Sequence, residues 1–214
     1  PPRATHQAGR LFMKTCLALA ILFAASIARA EIAASPETVR PLQPPAEIPD
    51  VAVTAMDGKS WSLRDALAGQ PTVFVVYRGG WCPYCTKQLG GLQKILPELH
   101  QLGYRLVALS PDPVEELNKT LGKETLDYTL FSDSTFAATE ALGLAFRLDA
   151  KTIKTYNGYG IPLYSPPGAT EKVLPVPAVF LTDREGRLTF THTNPDYTKR
   201  LSTKALLDAA RSKP

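Results

Sequence analysis

Apolar residues along this chain fall into two alternating periods. From Pro71 to Tyr77 the run Thr72-Val73-Phe74-Val75-Val76-Tyr77 is continuously apolar. That pattern predicts a central strand buried on both faces. It is followed by Leu89, Leu92, Leu96 and Leu99, a helical spacing. Pro97 should kink that helix or end its first part, and Gly103 should stop it. Arg105–Ser110 predicts a second buried strand through Leu106-Val107-Ala108-Leu109. A helix is expected from about Pro113 to Gly122, then a short strand Thr129–Ser132. A short helix Ser134–Leu142 follows, with Ser134 as N-cap. Near the end the pattern predicts the strand Ala178–Thr182, a turn Asp183–Gly186, the strand Leu188–Thr193, and a helix Lys204–Ala210 capped by Ser202.

Before the first buried strand, Val51 to Leu63 predicts a hairpin. Asp57-Gly58 is its turn, and Val51, Val53, Trp61 and Leu63 alternate around it. Residues 146–174 are less regular. Their tyrosines Tyr156, Tyr159 and Tyr164, with glycines and prolines between, suggest a structured insertion or flap without a role legible from composition. Strand–helix alternation predicts an α/β fold with parallel central strands.

The first thirty residues differ in kind. Arg3, Arg10 and Lys14 precede an apolar run from Cys16 to Ile27, and Ala28-Arg29-Ala30 fits a small-x-small cleavage site. The run is too short to span a bilayer comfortably. Residues 1–30 therefore read as a signal peptide to be removed, which implies an exported, periplasmic protein without stable membrane insertion after cleavage. Residues 31–48, rich in proline, read as an extended linker, and 49–212 as the folded domain. The formal net charge is +4 over 214 residues. Arg3, Arg10, Lys14 and Arg29, with no acid before Glu31, account for all of it. A near-neutral mature chain gives no electrostatic case for nucleic acid.

Only Cys82 and Cys85 remain beyond the leader, in Tyr77-Arg78-Gly79-Gly80-Trp81-Cys82-Pro83-Tyr84-Cys85. A pair this close closes too small a loop to staple a fold, and suits a cycle between dithiol and disulfide. The pair sits where a strand ends and a helix begins. Cys82 would then meet the unpaired N–H groups and macrodipole of the helix start, which favour a thiolate. Pro83 suits the first helical position. Cys85, one turn further in, is the candidate resolving thiol, attacking the mixed disulfide formed at Cys82. Arg78, for its proximity, ranks ahead of Arg147 and Arg200 as the source of positive charge. Trp81 and Tyr84 would flank the sulfur and limit water. A structural zinc site needs four ligands, and beyond the pair only His100 and His192 remain, far apart in sequence. A metal-binding or metallochaperone module and a purely structural disulfide stand as rival readings.

Together the motif Tyr77–Cys85 and the stretch Leu174-Pro175-Val176-Pro177-Ala178-Val179-Phe180 resemble the thioredoxin fold. More narrowly, they resemble the peroxiredoxin-like branch of the AhpC/TSA family, over roughly residues 46–212. The resemblance implies a central mixed sheet flanked by helices, with the hairpin as an N-terminal extension. It implies a thiol-dependent oxidoreductase that needs no cofactor beyond its cysteines. The expected substrate is a peroxide or a protein disulfide, recycled by an external dithiol reductant. It also implies that Val176–Pro177 is a cis peptide beside the cysteines, shaping a partner groove. The chain departs from the better-known branches. Peroxiredoxins carry Thr or Ser three residues before the peroxidatic cysteine and proline four before that, where Gly79 and Val75 stand here. Their arginine would fall near Pro177. Thioredoxins place a buried acid where this chain has Val76, and cytochrome-maturation reductases often have Glu at the place of Gln88.

Overall fold

The computed structural model describes residues 32–121 and 127–212. The expected leader and the expected helix end at Gly122 lie outside these. Among the described residues no helix is long and apolar enough to cross a membrane.

The central buried run forms β3 (Thr72–Val76), with every residue buried. Its period of two sends Val73 and Val75 into one core and Phe74 and Val76 into the other. Parallel to it runs β4 (Arg105–Ser110), and parallel to β4 runs β5 (Thr129–Ser132). On the opposite side β8 (Ala178–Thr182) pairs antiparallel with β3, and β9 (Leu188–Thr193) antiparallel with β8. The hairpin β1 (Ala52–Ala55) and β2 (Ser60–Ser62) joins β5 through β1. The result is one mixed seven-stranded sheet, ordered β2-β1-β5-β4-β3-β8-β9. On one face pack α2 (Pro83–Lys94), α3 (Leu96–Gln101) and α7 (Thr203–Arg211), together with Leu117 of α4 (Val114–Leu121). The other face is covered by α1 (Leu63–Leu67) and α5 (Ala137–Ala141).

Helix boundaries follow local chemistry. Pro97 separates α2 from α3 at Ile95, as its missing N–H requires. Gly103, at φ 81°, ends α3. Ser202 caps α7 by accepting the Ala205 N–H at 3.1 Å. Ser134 does not cap α5. Buried Asp133 does so instead, accepting the N–H of Ala138 at 3.0 Å and of Thr139 at 2.7 Å. Phe136, fully buried at φ 62°, bends the chain so that the carboxylate of Asp133 reaches both donors.

Residues 32–48, expected as a linker, are docked on the domain. Arg40 and Leu42 donate to Gly143 O and Leu142 O, each at 3.1 Å, and Ile48 is fully buried. Gly143 sits at φ 70° with the Arg40 carbonyl where a Cβ would lie, so only glycine admits this approach. The irregular stretch forms a small two-stranded sheet, β6 (Ala145–Arg147) with β7 (Val173–Pro175). Between them lies α6 (Ala150–Gly158), opened by Asp149, which accepts the Thr152 N–H at 2.8 Å.

The Val176–Pro177 peptide is not cis. Among the described residues the cis peptide is Pro44–Pro45. Val176 donates to Leu144 O at 2.9 Å, which keeps the chain extended as it passes from β7 into β8.

Candidate active site around Cys82 and Cys85

Strand β3 delivers the site. After Val76 the Tyr77 N–H still bonds Leu109 O at 2.9 Å. The chain then turns through Gly79, at φ 146°. Cys82 is the N-cap of α2, extended at φ −87° and ψ 111°, and Pro83 opens the first turn. The Cys82 carbonyl accepts the N–H groups of Cys85 and Thr86, each at 3.0 Å. Both cysteines are free thiols, and each is only 1% exposed. They belong to the core cluster between α2 and the sheet.

The two sulfurs are electrostatically unequal. A hydrogen bond from the Cys85 thiol is the largest influence on Cys82. The Cys85 backbone N–H and the charges of Arg78 and Arg200 act in the same sense, and the Cys82 thiol is pushed down to about 6 against the opposing effect of burial. Burial pushes the Cys85 thiol up, and so does the proximity of Cys82. These influences favour the thiolate form on Cys82 over Cys85.

Arg78 is 3% exposed. Its guanidinium lies 4.0 Å from the ring centroid of Tyr197, 5.1 Å from that of Trp81 and 5.4 Å from that of Tyr156. It donates to Tyr156 Oη at 2.7 Å. Its Nε finds no hydrogen-bond partner among the described residues, and no carboxylate there pairs with it. Its guanidinium is therefore held in place by aromatic faces, and its charge is one of the influences that lower the Cys82 thiol. Trp81 meets Tyr156 edge-on at 5.7 Å, and Tyr84 meets Tyr197 edge-on at 5.7 Å. Trp81 is half-buried, whereas Tyr84 is 42% exposed.

Arg200 contacts sulfur directly. Its Nη2 donates to Cys85 Sγ at 3.4 Å, its Nη1 to Gln88 Oε1 at 3.0 Å, and its Nε to Tyr197 O at 2.7 Å. It also shares a crevice with Pro177, Gln88 and His192. A groove of about 370 Å³ opens beside it, walled by Tyr84, Lys87, Gln88, Leu92 and Leu201. Val176 is buried in the cluster that Trp81 and Tyr156 pack against. Arg147 is elsewhere, donating to Ile32 O at 2.7 Å. Among the described residues no three His, Cys, Asp or Glu side chains converge as a metal site would require.

Three contributors escape sequence reasoning. Tyr156 comes from the insertion and Tyr197 from the turn before α7, and no spacing links either to the motif. Asp112, from the loop after β4, is 2% exposed, and its Oδ2 accepts the Gly80 N–H at 2.7 Å. Gly79 explains itself sterically. A Cβ there would collide with Trp81 Nε1 and come within 2.8 Å of Asp112 Oδ1. A side chain at this place would require Trp81 and Asp112 to shift.

Residues 44–191 match the AhpC/TSA family. Peroxiredoxin Bcp of Escherichia coli is 31% identical over 96 residues, 45% of this chain and 61% of that protein. A thiol-disulfide oxidoreductase ResA of Bacillus cereus is 28% identical over 142 residues, 66% of this chain and 65% of that protein. The chain thus spans less than two thirds of the length of either relative. Two solved structures share the fold. Reduced Prx3 of Vibrio vulnificus in complex with H2O2 has a TM-score of 0.65 at 14% identity, covering 79% of this chain and 99% of its own. Peroxiredoxin Q of Xanthomonas campestris has a TM-score of 0.58 at 21% identity, covering 81% and 97%.

Proposed function

The chain belongs to the AhpC/TSA family, and on that basis we propose that it is a thiol–disulfide oxidoreductase that reduces a peroxide; the leader-like pattern of residues 1–30 supports an exported, periplasmic location. Cys82 is the nucleophile and Cys85 the resolving thiol. The observation that carries this reading is the placement of Cys82. At the head of α2 its thiol is pushed down to about 6, chiefly by the hydrogen bond from Cys85 and further by the charges of Arg78 and Arg200. The thiolate attacks the peroxide oxygen, the O–O bond breaks, and an alcohol or water leaves after taking a proton. Cys82 is left as a sulfenic acid. Cys85 condenses with it, forming the disulfide and releasing water. An external dithiol returns both thiols. At 1% exposure Cys82 suits a small electrophile better than a bulky one. Arg78, Trp81, Pro83, Tyr84, Val176 and Pro177 support the pair by charge, packing and chain direction.

A second reading is protein dithiol–disulfide exchange without peroxide. Gly79 favours it, since a side chain in the place of a peroxidase hydroxyl would displace Trp81 and Asp112. The longer match to ResA relatives favours it too. A peroxidase assay with a dithiol reductant separates the two. The first reading expects turnover that is lost in Cys82→Ser; wild-type turnover no faster than a free thiol would reject it. Osmotic-shock fractionation of a tagged full chain tests export.

A further inference from the structure

The cation that touches sulfur touches the resolving one. Arg200 Nη2 lies 3.4 Å from Cys85 Sγ, while its other two nitrogens are anchored on Gln88 Oε1 and Tyr197 O. The guanidinium is thus fixed from both sides, so its planar fork points at the sulfur without further ordering. Among the described residues its side-chain hydrogen bonds go to a neutral amide, a backbone carbonyl and the sulfur, and none to a carboxylate. Cys85 needs the charge of that guanidinium. Sulfur attacks as thiolate, and a thiol buried to 1% in a core cluster resists ionisation. An N–H donor on a charged group favours the ionised acceptor more strongly than a neutral donor does.

We propose that Arg200 is the catalytic residue of the resolving half-reaction, stabilising the Cys85 thiolate as it attacks the sulfur of Cys82. This rests on the reading of Cys85 as the resolving thiol. In the step, the Cys85 S–H proton departs and the Cys85–Cys82 S–S bond forms. The group on Cys82 leaves with the electron pair of its old bond: hydroxide from a sulfenic acid, taking up the proton as water, or a thiolate from a mixed disulfide. Both arginines favour the thiolate that starts the cycle, whereas Arg200 alone touches the sulfur that closes it.

The test uses the reduced full chain and 4,4′-dithiodipyridine, which is neutral, so loss of an arginine does not alter its attraction to the site. Cys82 attacks it and releases one thiopyridone. Cys85 then attacks the mixed disulfide and releases the second, and stopped-flow absorbance resolves the two phases. Arg200→Gln is expected to leave the first phase within about threefold of wild type and to slow the second at least tenfold at pH 7. The pH profile of the second phase should move upward by a unit or more, because one pH unit corresponds to a tenfold change in thiolate fraction. Arg200→Lys should restore part of the second phase. Gln88→Leu, which removes one anchor and keeps the charge, should slow it about threefold, and it decides the matter if the Gln variant fails to fold. A second phase unchanged in Arg200→Gln or in Gln88→Leu overturns the proposal. So do equal losses in both phases, or a Lys variant no better than Gln. No peroxide enters this assay, so a failure of the peroxidase reading leaves its result standing.

Discussion

Asp112 accepts the backbone N–H of Gly80 at 2.7 Å, two residues before Cys82. A buried carboxylate thereby fixes the bend that carries the chain from β3 into α2. Burial is the largest influence on Asp112 and pushes its pKa up to about 6, despite the lowering effect of the Gly80 N–H and Ser110. Its folded pKa lies above the unfolded one, so its contribution to stability is fully present below about pH 4 and is lost as pH rises through about 6.

Replacing Asp112 by Asn removes that loss. Relative to the variant, wild type should become less stable between pH 4 and pH 7, by an amount on the order of 3 kcal/mol at most. Urea unfolding at both pH values measures it. Parallel pH dependence in the two proteins would show that the buried carboxylate titrates normally.

Alkylation of Cys82 by iodoacetamide should rise with pH and level off above about 7, with its midpoint near 6. The Cys85 thiol contributes most to that lowering and the charge of Arg78 less. Cys85→Ala should therefore raise the midpoint more than Arg78→Gln does, and both should move it toward the free-thiol value of about 8.5. The reverse ranking would mean that the charge of Arg78, and not the neighbouring thiol, sets the ionisation of Cys82.

Gly79→Thr places a hydroxyl where peroxiredoxins carry one, yet it should impair this protein. Its Cβ would strike Trp81, and φ 146° strains any side-chain-bearing residue. Backbone strain of this kind costs roughly 1–3 kcal/mol. In a domain of this size that lowers Tm by several degrees. Thermal melts and iodoacetamide rates should both decline; a variant with wild-type stability and higher peroxidase turnover would contradict the steric account.

Tyr156→Phe keeps the ring beside Arg78 and deletes the hydroxyl that accepts its Nη2 hydrogen bond. With Nε already unpartnered among the described residues, the buried guanidinium loses another bond. Such a loss costs roughly 1–3 kcal/mol. Denaturant midpoints should fall accordingly, whereas Tyr159→Phe, at an exposed ring, should leave them unchanged.

Much of the fold is legible along the chain. The buried runs at 105–110 and 178–182 emerge as strands at those bounds, and the run from Pro71 to Tyr77 as the shorter Thr72–Val76, because full burial of both faces leaves a strong apolar signature. Pro97, Gly103 and Ser202 act where their backbone chemistry demands. The cap of α5 is not legible, because Ser134 and Asp133 are both good caps by type. Only the left-handed turn at Phe136 selects the aspartate. Nor is the docking of residues 32–48, because prolines mark extended chain equally well whether it is free or packed against a domain.

The sequence by itself determined the dithiol, its place at a strand-to-helix junction and the α/β frame, since these depend on residue type and near neighbours. The partners of the two sulfurs were decided by tertiary structure alone. Arg78 gains its aromatic cage from Trp81, Tyr156 and Tyr197, and Cys85 meets Arg200 across 115 positions of chain. Electrostatic stabilisation depends on distance in space, which no local pattern records, so the division of charge between Cys82 and Cys85 exists only once the chain has folded.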